Sequence, residues 1–408
     1  MLVSKRKMIN DPVHGMIELH GDLVAQLMDH AYFQRLRGIQ QLGLSALVYP
    51  GAVQTRFLHA IGATHLMNKA LETLKKKGVN ISTAEHEACL VAMLLHDIGH
   101  APFSHALEHS LIEGVGHEEV SLLLMEKLNE EFQGKLSLAL QIFQHKYPRK
   151  FLSQLVSSQL DMDRLDYLKR DSFYAGVSEG EVGVDRIIDM LHVKDDILCV
   201  EEKGIYSIEK FLLARKLMYW QVYLHKTVIA AEQMLVKVFI RAKQLAQTGE
   251  NLFASDFLKI FLYEKLSLQD FKKNPLVLDA FTMLDDAQLI ASMRVWTRHK
   301  DFILSDLCKR LLHRRLFKVE VSTEIFDVNY KNSIKAQLQH KLNLDEQDLH
   351  YYFLEERYTT DIYKKTQGIH VLSKTGELKE LYAVRKELGL SISYAPVTKY
   401  FICYPKDV

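Results

Sequence analysis

LLHDIGHAPFSH, residues 94–105, sets a histidine and an aspartate side by side, His96 and Asp97, at the end of an apolar run. Upstream, Ser82 and Glu85 have capping-box spacing, and Ala88, Val91, Ala92, Leu94 and Leu95 follow as helix-forming or core-facing residues. The pattern predicts a helix over 82–97 whose buried end carries the pair. An imidazole and a carboxylate there are costly to desolvate alone, so a cation or hydrogen-bonding groups should meet them. A divalent metal is the simplest candidate. The dipeptide by itself decides little, because a single buried histidine is usually a hydrogen-bonded core residue.

Further donors lie on either side. His59, in TRFLHAIGATH, precedes the helix, and Asp163, in DMDRLDYLKRD, follows it. Two imidazoles and two carboxylates suit Fe, Mn, Zn, Ni or Mg with positions left for water, and the lack of thiolates argues against a closed structural zinc site. An open position fits a hydrolase, since a metal lowers the pKa of water and polarises a phosphoryl oxygen.

The 161–171 segment carries Asp161, Asp163, Arg164, Asp166, Lys169, Arg170 and Asp171, a pattern that alone reads as a solvated helix face. At about 100° per residue, however, Asp163, Arg164, Tyr167 and Asp171 gather on one side while Leu165 and Leu168 point away. One face could thus offer a metal ligand, a phosphate-binding cation and polar groups for a sugar. His100, His105 and His117 exceed any first coordination shell and could donate to phosphate oxygens or protonate a leaving group. For His117, just before Glu118 and Glu119 at an expected helix start, a capping or surface role stands beside the catalytic one. Arg56, three residues before His59, shares its helical turn and is a candidate for phosphate.

The 408 residues allow a large core and a second, smaller unit, and 48% hydrophobic with 25% charged residues describes an ordinary globular chain. With 52 basic against 51 acidic side chains the net charge is +1, which gives no global pull toward nucleic acid or anionic lipid. No nucleic-acid or membrane partner is expected, although the basic stretch CKRLLHRRLFK at 308–318 is a local exception. The N-terminal MLVSKRKMINDP lacks a following apolar stretch, and Cys89, Cys199, Cys308 and Cys403 stand singly among apolar neighbours. These features fit a cytoplasmic protein with reduced cysteines.

Seven prolines and 19 glycines leave long stretches unbroken. Residues 21–43, 58–76, 82–97, 117–132, 151–171 and 184–192 are predicted helical, and 208–247 is one long helix or two abutting ones. After about residue 314 the runs RLFKVEVS, LHYYFLEE, GIHVLSK and KYFICYP are strand-like. The expected fold is mainly α, a helical domain over 1–313 with a C-terminal α+β subdomain over 314–408 packed closely on it.

Together these residues resemble the HD-domain phosphohydrolase superfamily and, within it, the deoxynucleoside triphosphate triphosphohydrolases. The likeness runs from NDPVHGMIELH at 10–20 through FQRLRGIQQLG at 33–43, VYPGAVQTRFLHAIG at 48–62, LLHDIGHAPFSH and DMDRLDYLKRD to YLHK at 223–226 and RRLFK at 314–318. It implies an HD helical core and makes His59, His96, Asp97 and Asp163 ligands of one divalent metal per site, with Mg accompanying the nucleotide. Arg56, His100, His105, His117, Arg164 and Tyr167 would surround a triphosphate. A metal-held water would attack the α-phosphorus and His117 would protonate the departing 5′-oxygen, with His100 and Glu108 completing the catalytic set. Gln41 and Asp171 match residues that bind the sugar 3′-hydroxyl, Tyr223 matches the aromatic that disfavours ribose, and Leu42 and Arg215 join the substrate set.

The resemblance further implies a homo-oligomer, a dimer or tetramer, activated by GTP or dGTP bound between subunits at Lys7, Asp29, Gln34, Arg37 and Arg314. Intersubunit salt bridges without a nucleotide are the plainer reading of those five. Departures include Glu108 for an Asp, Arg164 for a Lys and Leu44 for a Gly, while Glu201 and Ser207 replace an Arg and an Asn at an adjoining nucleotide site, where a Glu would repel phosphate. Two rival functions keep the same residues: an HD nucleotidase or phosphatase acting on another nucleotide, and a catalytically weak nucleotide sensor.

Overall fold

A computed structural model describes residues 7–103, 114–363, 368–387, 389 and 395–407, and these are mainly helical. The chain opens with an antiparallel hairpin, β1 (Lys7–Asp11) and β2 (Gly15–Leu19), followed by helix α1 (Asp22–Asp29). The helix expected over 21–43 is broken. His30 is extended, and its Nδ1 accepts from the Tyr32 amide at 3.2 Å, starting the short helix Ala31–Gln34, which tightens into a 3-10 turn at Arg35–Gly38.

Two long helices then form the centre, α2 (Arg56–Lys76) and α3 (Thr83–Leu95), packed along each other. The Ser82–Glu85 capping box starts α3, and His96 is its C-cap. Helix α4 (His117–Glu131) follows.

The stretch 151–171 is two helices, not one: Lys150–Val156, then α5 (Met162–Ala175), which packs on α2. Asp161 makes the break. Its carboxylate accepts from the amides of Ser158 and Arg164, each at 2.7 Å, so a residue read as surface charge is an N-cap. The 184–192 helix ends at Met190 and passes into β3 (Leu191–Lys194), which pairs with β4 (Ile197–Glu201). Asp195 and Asp196, at φ +52° and +61°, form the two-residue turn that suits a twisted hairpin. The 208–247 stretch resolves into α6 (Ile205–Met218), a π-helical turn at Tyr219–Tyr223 and α7 (Lys226–Gln247), capped by His225.

The C-terminal part contributes β5 (Lys318–Ser322), helix Val328–Leu342, β6 (Leu354–Thr360), β7 (His370–Leu372), β8 (Leu378–Glu380) and β9 (Val397–Tyr404). In LHYYFLEE only the residues from Leu354 on are strand, because Glu346–Tyr351 form a 3-10 turn. One sheet, β5-β9-β6, lies wholly after residue 314. The other, β3-β4-β7-β8, joins both halves of the chain through the parallel β4–β7 pair, Cys199 opposite His370. All four cysteines are buried and free, and among the described residues no helix is long and apolar enough to cross a membrane.

Candidate metal centre and substrate pocket

Helices α2, α3 and α5 converge on one point. His59 Nε2 lies 3.3 Å from His96 Nε2 and 3.1 Å from Asp163 Oδ1, and His96 Nε2 is 3.5 Å from that same oxygen. Ligands about 2.1 Å from a common ion stand about 3 Å from one another, so this spacing fits a metal. Asp97 lies beside the three, with Oδ1 3.4 Å from His96 Nε2 and Oδ2 3.7 Å from His59 Nε2. Its Oδ2 is also ion-paired with the buried Arg56.

Both imidazoles are oriented from behind. His96 Nδ1 faces the Met93 carbonyl at 2.7 Å, and His59 Nδ1 faces Asp166 Oδ2 at 2.8 Å, which turns each Nε2 toward the shared point. Asp166 is held by a fork from Arg170, Nε at 2.8 Å and Nη2 at 3.0 Å, and meets His14 Nε2 at 2.6 Å. Arg170 Nη1 reaches Asp11 Oδ2 at 2.8 Å, so the β1–β2 hairpin is tied to the same network. Gly62, one turn beyond His59, makes room for it: an added Cβ would sit 2.1 Å from both Asp166 Oδ1 and Arg170 Nη2. Ser121 of α4 pins the His-Asp turn, donating to the His96 carbonyl and accepting from the Gly99 amide, both at 2.9 Å.

The electrostatics ask for a cation. Burial works against ionisation of Asp97, Asp163 and Asp166, yet His100 and His96, His59 and His96, and Arg170 and His14, respectively, hold their carboxyls below the usual range. Burial likewise pulls His59 down, but hydrogen bonds to Asp163 and Asp166 lift it to about 10, and Asp97 and Asp163 raise His96 against burial. A divalent ion would supply the positive charge that these carboxylates draw from the imidazoles.

The expected substrate residues fall into three groups. His100 and His117 stack with centroids 3.9 Å apart, and His100 Nδ1 is 3.4 Å from Asp97 Oδ1, placing the pair beside the candidate metal ligands. Asp171 is buried and accepts from Tyr223 Oη and Gln54 Nε2, each at 2.9 Å; burial pushes it up to about 6. Tyr167 stands between, 6.5 Å from the His59 ring and 6.2 Å from Tyr223. Arg164 ion-pairs with Asp161, while Arg215 donates to Gln159 Oε1 at 3.1 Å and to the Ile362 carbonyl at 3.0 Å. Gln41 Oε1, Gln54 Oε1, Arg164 Nε and Arg215 Nε are buried with no hydrogen-bond partner, the kind of polar atom that a ligand completes. Leu42 packs against the core, as does the buried Leu44. His105 and Glu108 lie outside the described residues.

Of the expected activator residues, Lys7 pairs with Asp29, and Arg37 Nε donates to Gln34 Oε1 at 2.8 Å. Arg314 donates elsewhere, to the Leu47 carbonyl at 2.8 Å. Glu201 is neutralised by Lys77 at 2.6 Å and Lys203 at 2.8 Å. Sequence reasoning missed Gln54, the capping role of Asp161, and the network of Asp11, His14, Asp166 and Arg170. The three-residue spacing of Asp163 and Asp166 was the available signal for the last.

Comparison with known proteins gives a consistent picture. The HD domain model matches residues 56–171 and the HD associated region matches 182–257. A crystal structure of a phosphohydrolase from Bacteroides thetaiotaomicron superposes with a TM-score of 0.95 at 47% identity, covering 98% of this chain and 100% of that one. The uncharacterized protein YwfO of Bacillus subtilis is 32% identical over 100% of this chain and 94% of its own length. The Dictyostelium discoideum homolog of the deoxynucleoside triphosphate triphosphohydrolase SAMHD1 is 32% identical over 60% of this chain, a match spanning 51% of that protein.

Proposed function

The chain belongs to the HD-domain phosphohydrolase family, and we propose that its reaction is hydrolysis of deoxynucleoside triphosphates to deoxynucleoside and inorganic triphosphate. The observation that carries this reading is the cluster that Gln54 and Tyr223 form around Asp171, which lies on the helix that bears Asp163. Asp171 lies eight positions beyond Asp163 on α5, roughly 12 Å at helical rise, with Tyr167 and Arg164 between. That face offers a place for a sugar at one end and a phosphate at the other.

His59, His96, Asp97 and Asp163 would hold the divalent ion, which supplies charge neutralisation at the phosphoryl oxygens and activation of water. The protein's own groups do the rest. Arg56 fixes the Asp97 carboxylate, a role the sequence did not separate from phosphate binding. Arg164 and Arg215 present buried guanidinium nitrogens to the phosphate chain, and His117, stacked on His100, donates the proton to the departing 5′-oxygen. Asp171 accepts the sugar 3′-hydroxyl. Tyr223, anchored to Asp171, leaves little room for a 2′-hydroxyl. The exposed Lys7–Asp29 and Gln34–Arg37 pairs are the place for a guanine nucleotide between copies of the chain.

Metal-loaded protein incubated with dNTP mixtures, with and without dGTP, should release deoxynucleoside and triphosphate. Orthophosphate as the inorganic product would favour a nucleotidase instead, and no turnover of any dNTP would remove the assignment. A second result follows from Asp171. Below about pH 6 its carboxyl is protonated and loses acceptor strength, so KM for dNTP should rise as pH falls through that value. In Asp171→Asn the KM should already be high and that acid limb should vanish; an unchanged limb would assign it to another group.

A further inference from the structure

A cleft of about 430 Å³ is lined by helix Lys150–Val156, the 157–160 turn, β4 and the start of β7. None of the described residues assigned above to metal, phosphate, sugar or activator lines it. Its wall carries His145, Lys150 and His370 and, among the described residues, no aspartate or glutamate. Neighbouring acids are committed elsewhere: Asp196 accepts the Lys150 backbone amide at 2.6 Å, Glu85 is taken by Arg149 at 2.9 Å and Tyr147 at 3.1 Å, and Glu380, behind Gly368, accepts from Tyr363 Oη and from the Tyr382 amide at 2.8 Å.

The wall also holds unspent donors. Ser153 is 2% exposed, and its Oγ has no hydrogen-bond partner. Gln159, 4% exposed, uses Oε1 to accept from Arg215, which leaves its amide N–H groups for the cleft. Basic side chains without lining carboxylates, set among hydroxyl and amide donors, select an anion with several acceptor oxygens.

We propose that this cleft is an effector site for a small phosphorylated metabolite, a phosphate or diphosphate ester, distinct from the catalytic pocket. Two contacts link them. Gln159 holds Arg215, and Ser158 donates its amide to Asp161, the cap of the helix that carries Asp163. A ligand ordering the 157–160 turn therefore acts on a phosphate-binding arginine and on the start of α5. This regulatory half rests on the role given to Arg215 above; the binding half does not.

Calorimetric titration of full-length Asp163→Ala protein with inorganic pyrophosphate and with ribose 5-phosphate tests binding while the metal centre is disabled. Saturable binding of at least one probe is expected, weakened tenfold or more by adding Lys150→Glu or the Lys150→Ala/His370→Ala pair. Binding of ribose 5-phosphate supports the ester, whereas binding of pyrophosphate alone overturns the ester assignment in favour of a free diphosphate. Binding of neither probe, or equal binding in folded Lys150→Glu protein, overturns the site. In the otherwise wild-type enzyme the bound probe should shift KM for dNTP at least threefold, and Lys150→Glu should abolish the shift without changing unstimulated turnover. A KM indifferent to the probe in the presence of proven binding overturns the regulatory half, whereas absence of dNTP turnover would overturn only the catalytic assignment.

Discussion

Asp163→Ala is expected to reduce metal content from one ion per chain to near zero and to lower kcat/KM at least about 10³-fold, with the fold intact. The size follows from the several kcal/mol that a metal contributes to charge stabilisation in phosphoryl chemistry, at 1.36 kcal/mol per tenfold in rate. Asp163 Oδ1 is the oxygen that faces both imidazoles, at 3.1 and 3.5 Å, so no neighbouring group replaces it. The helix it starts has a separate cap. Asp161 still accepts the Arg164 amide, and loss of one acidic side chain from the first turn costs about 0.3–1 kcal/mol. Elemental analysis together with initial rates on the same preparation checks the result, and circular dichroism reads the fold. Normal metal content with normal turnover would place the centre elsewhere.

Much of this arrangement was legible because its signals are local. The Ser82–Glu85 box and the apolar run behind it announce α3, and that helix fixes where the His96-Asp97 pair falls. Breaks were harder to read than helices. At His30 and at Asp161 the chain turns because one polar side chain captures nearby amides, a choice that the surrounding helix-forming residues hide. The β3–β4 hairpin was lost for a related reason: four residues of strand follow a helix with no proline or glycine between them.

Within the site, residue type indicated chemistry but not partnership. Arg56 and Arg164 both read as phosphate cations, yet the structure pairs Arg56 with Asp97 and Arg164 Nη1 with Asp161, which leaves Arg164 Nε for a phosphate. Which carboxylate an arginine meets depends on helix packing across 41 residues in the first case and on a cap three residues away in the second. The same limit applied to His59. Its partner Asp166 lies 107 residues away, and only the approach of α5 to α2 brings them together.

That approach leads to the second large effect expected, in Arg170→Met. Arg170 is fully buried, forks onto Asp166 and reaches Asp11, whose other oxygen accepts the amides of Val13 at 2.9 Å and His14 at 2.8 Å. Methionine fills much of the same volume but takes the guanidinium from two buried carboxylates, leaving Asp166 only His14 and His59. Breaking such a pair from one side costs about 3–5 kcal/mol, because the remaining charge is stranded away from water. The damage should also reach the metal. With Asp166 no longer held in place, His59 loses the acceptor that sets its tautomer, and metal affinity should fall about 10–100-fold. Arg170→Lys keeps the charge but cannot fork, so it should recover part of the stability and little of the alignment. Urea unfolding measures the first quantity and competition with a chelator the second. If Arg170→Met lost stability as expected but bound metal as tightly as the parent, Asp166 would be a structural anchor and His59 would be oriented by α2 alone.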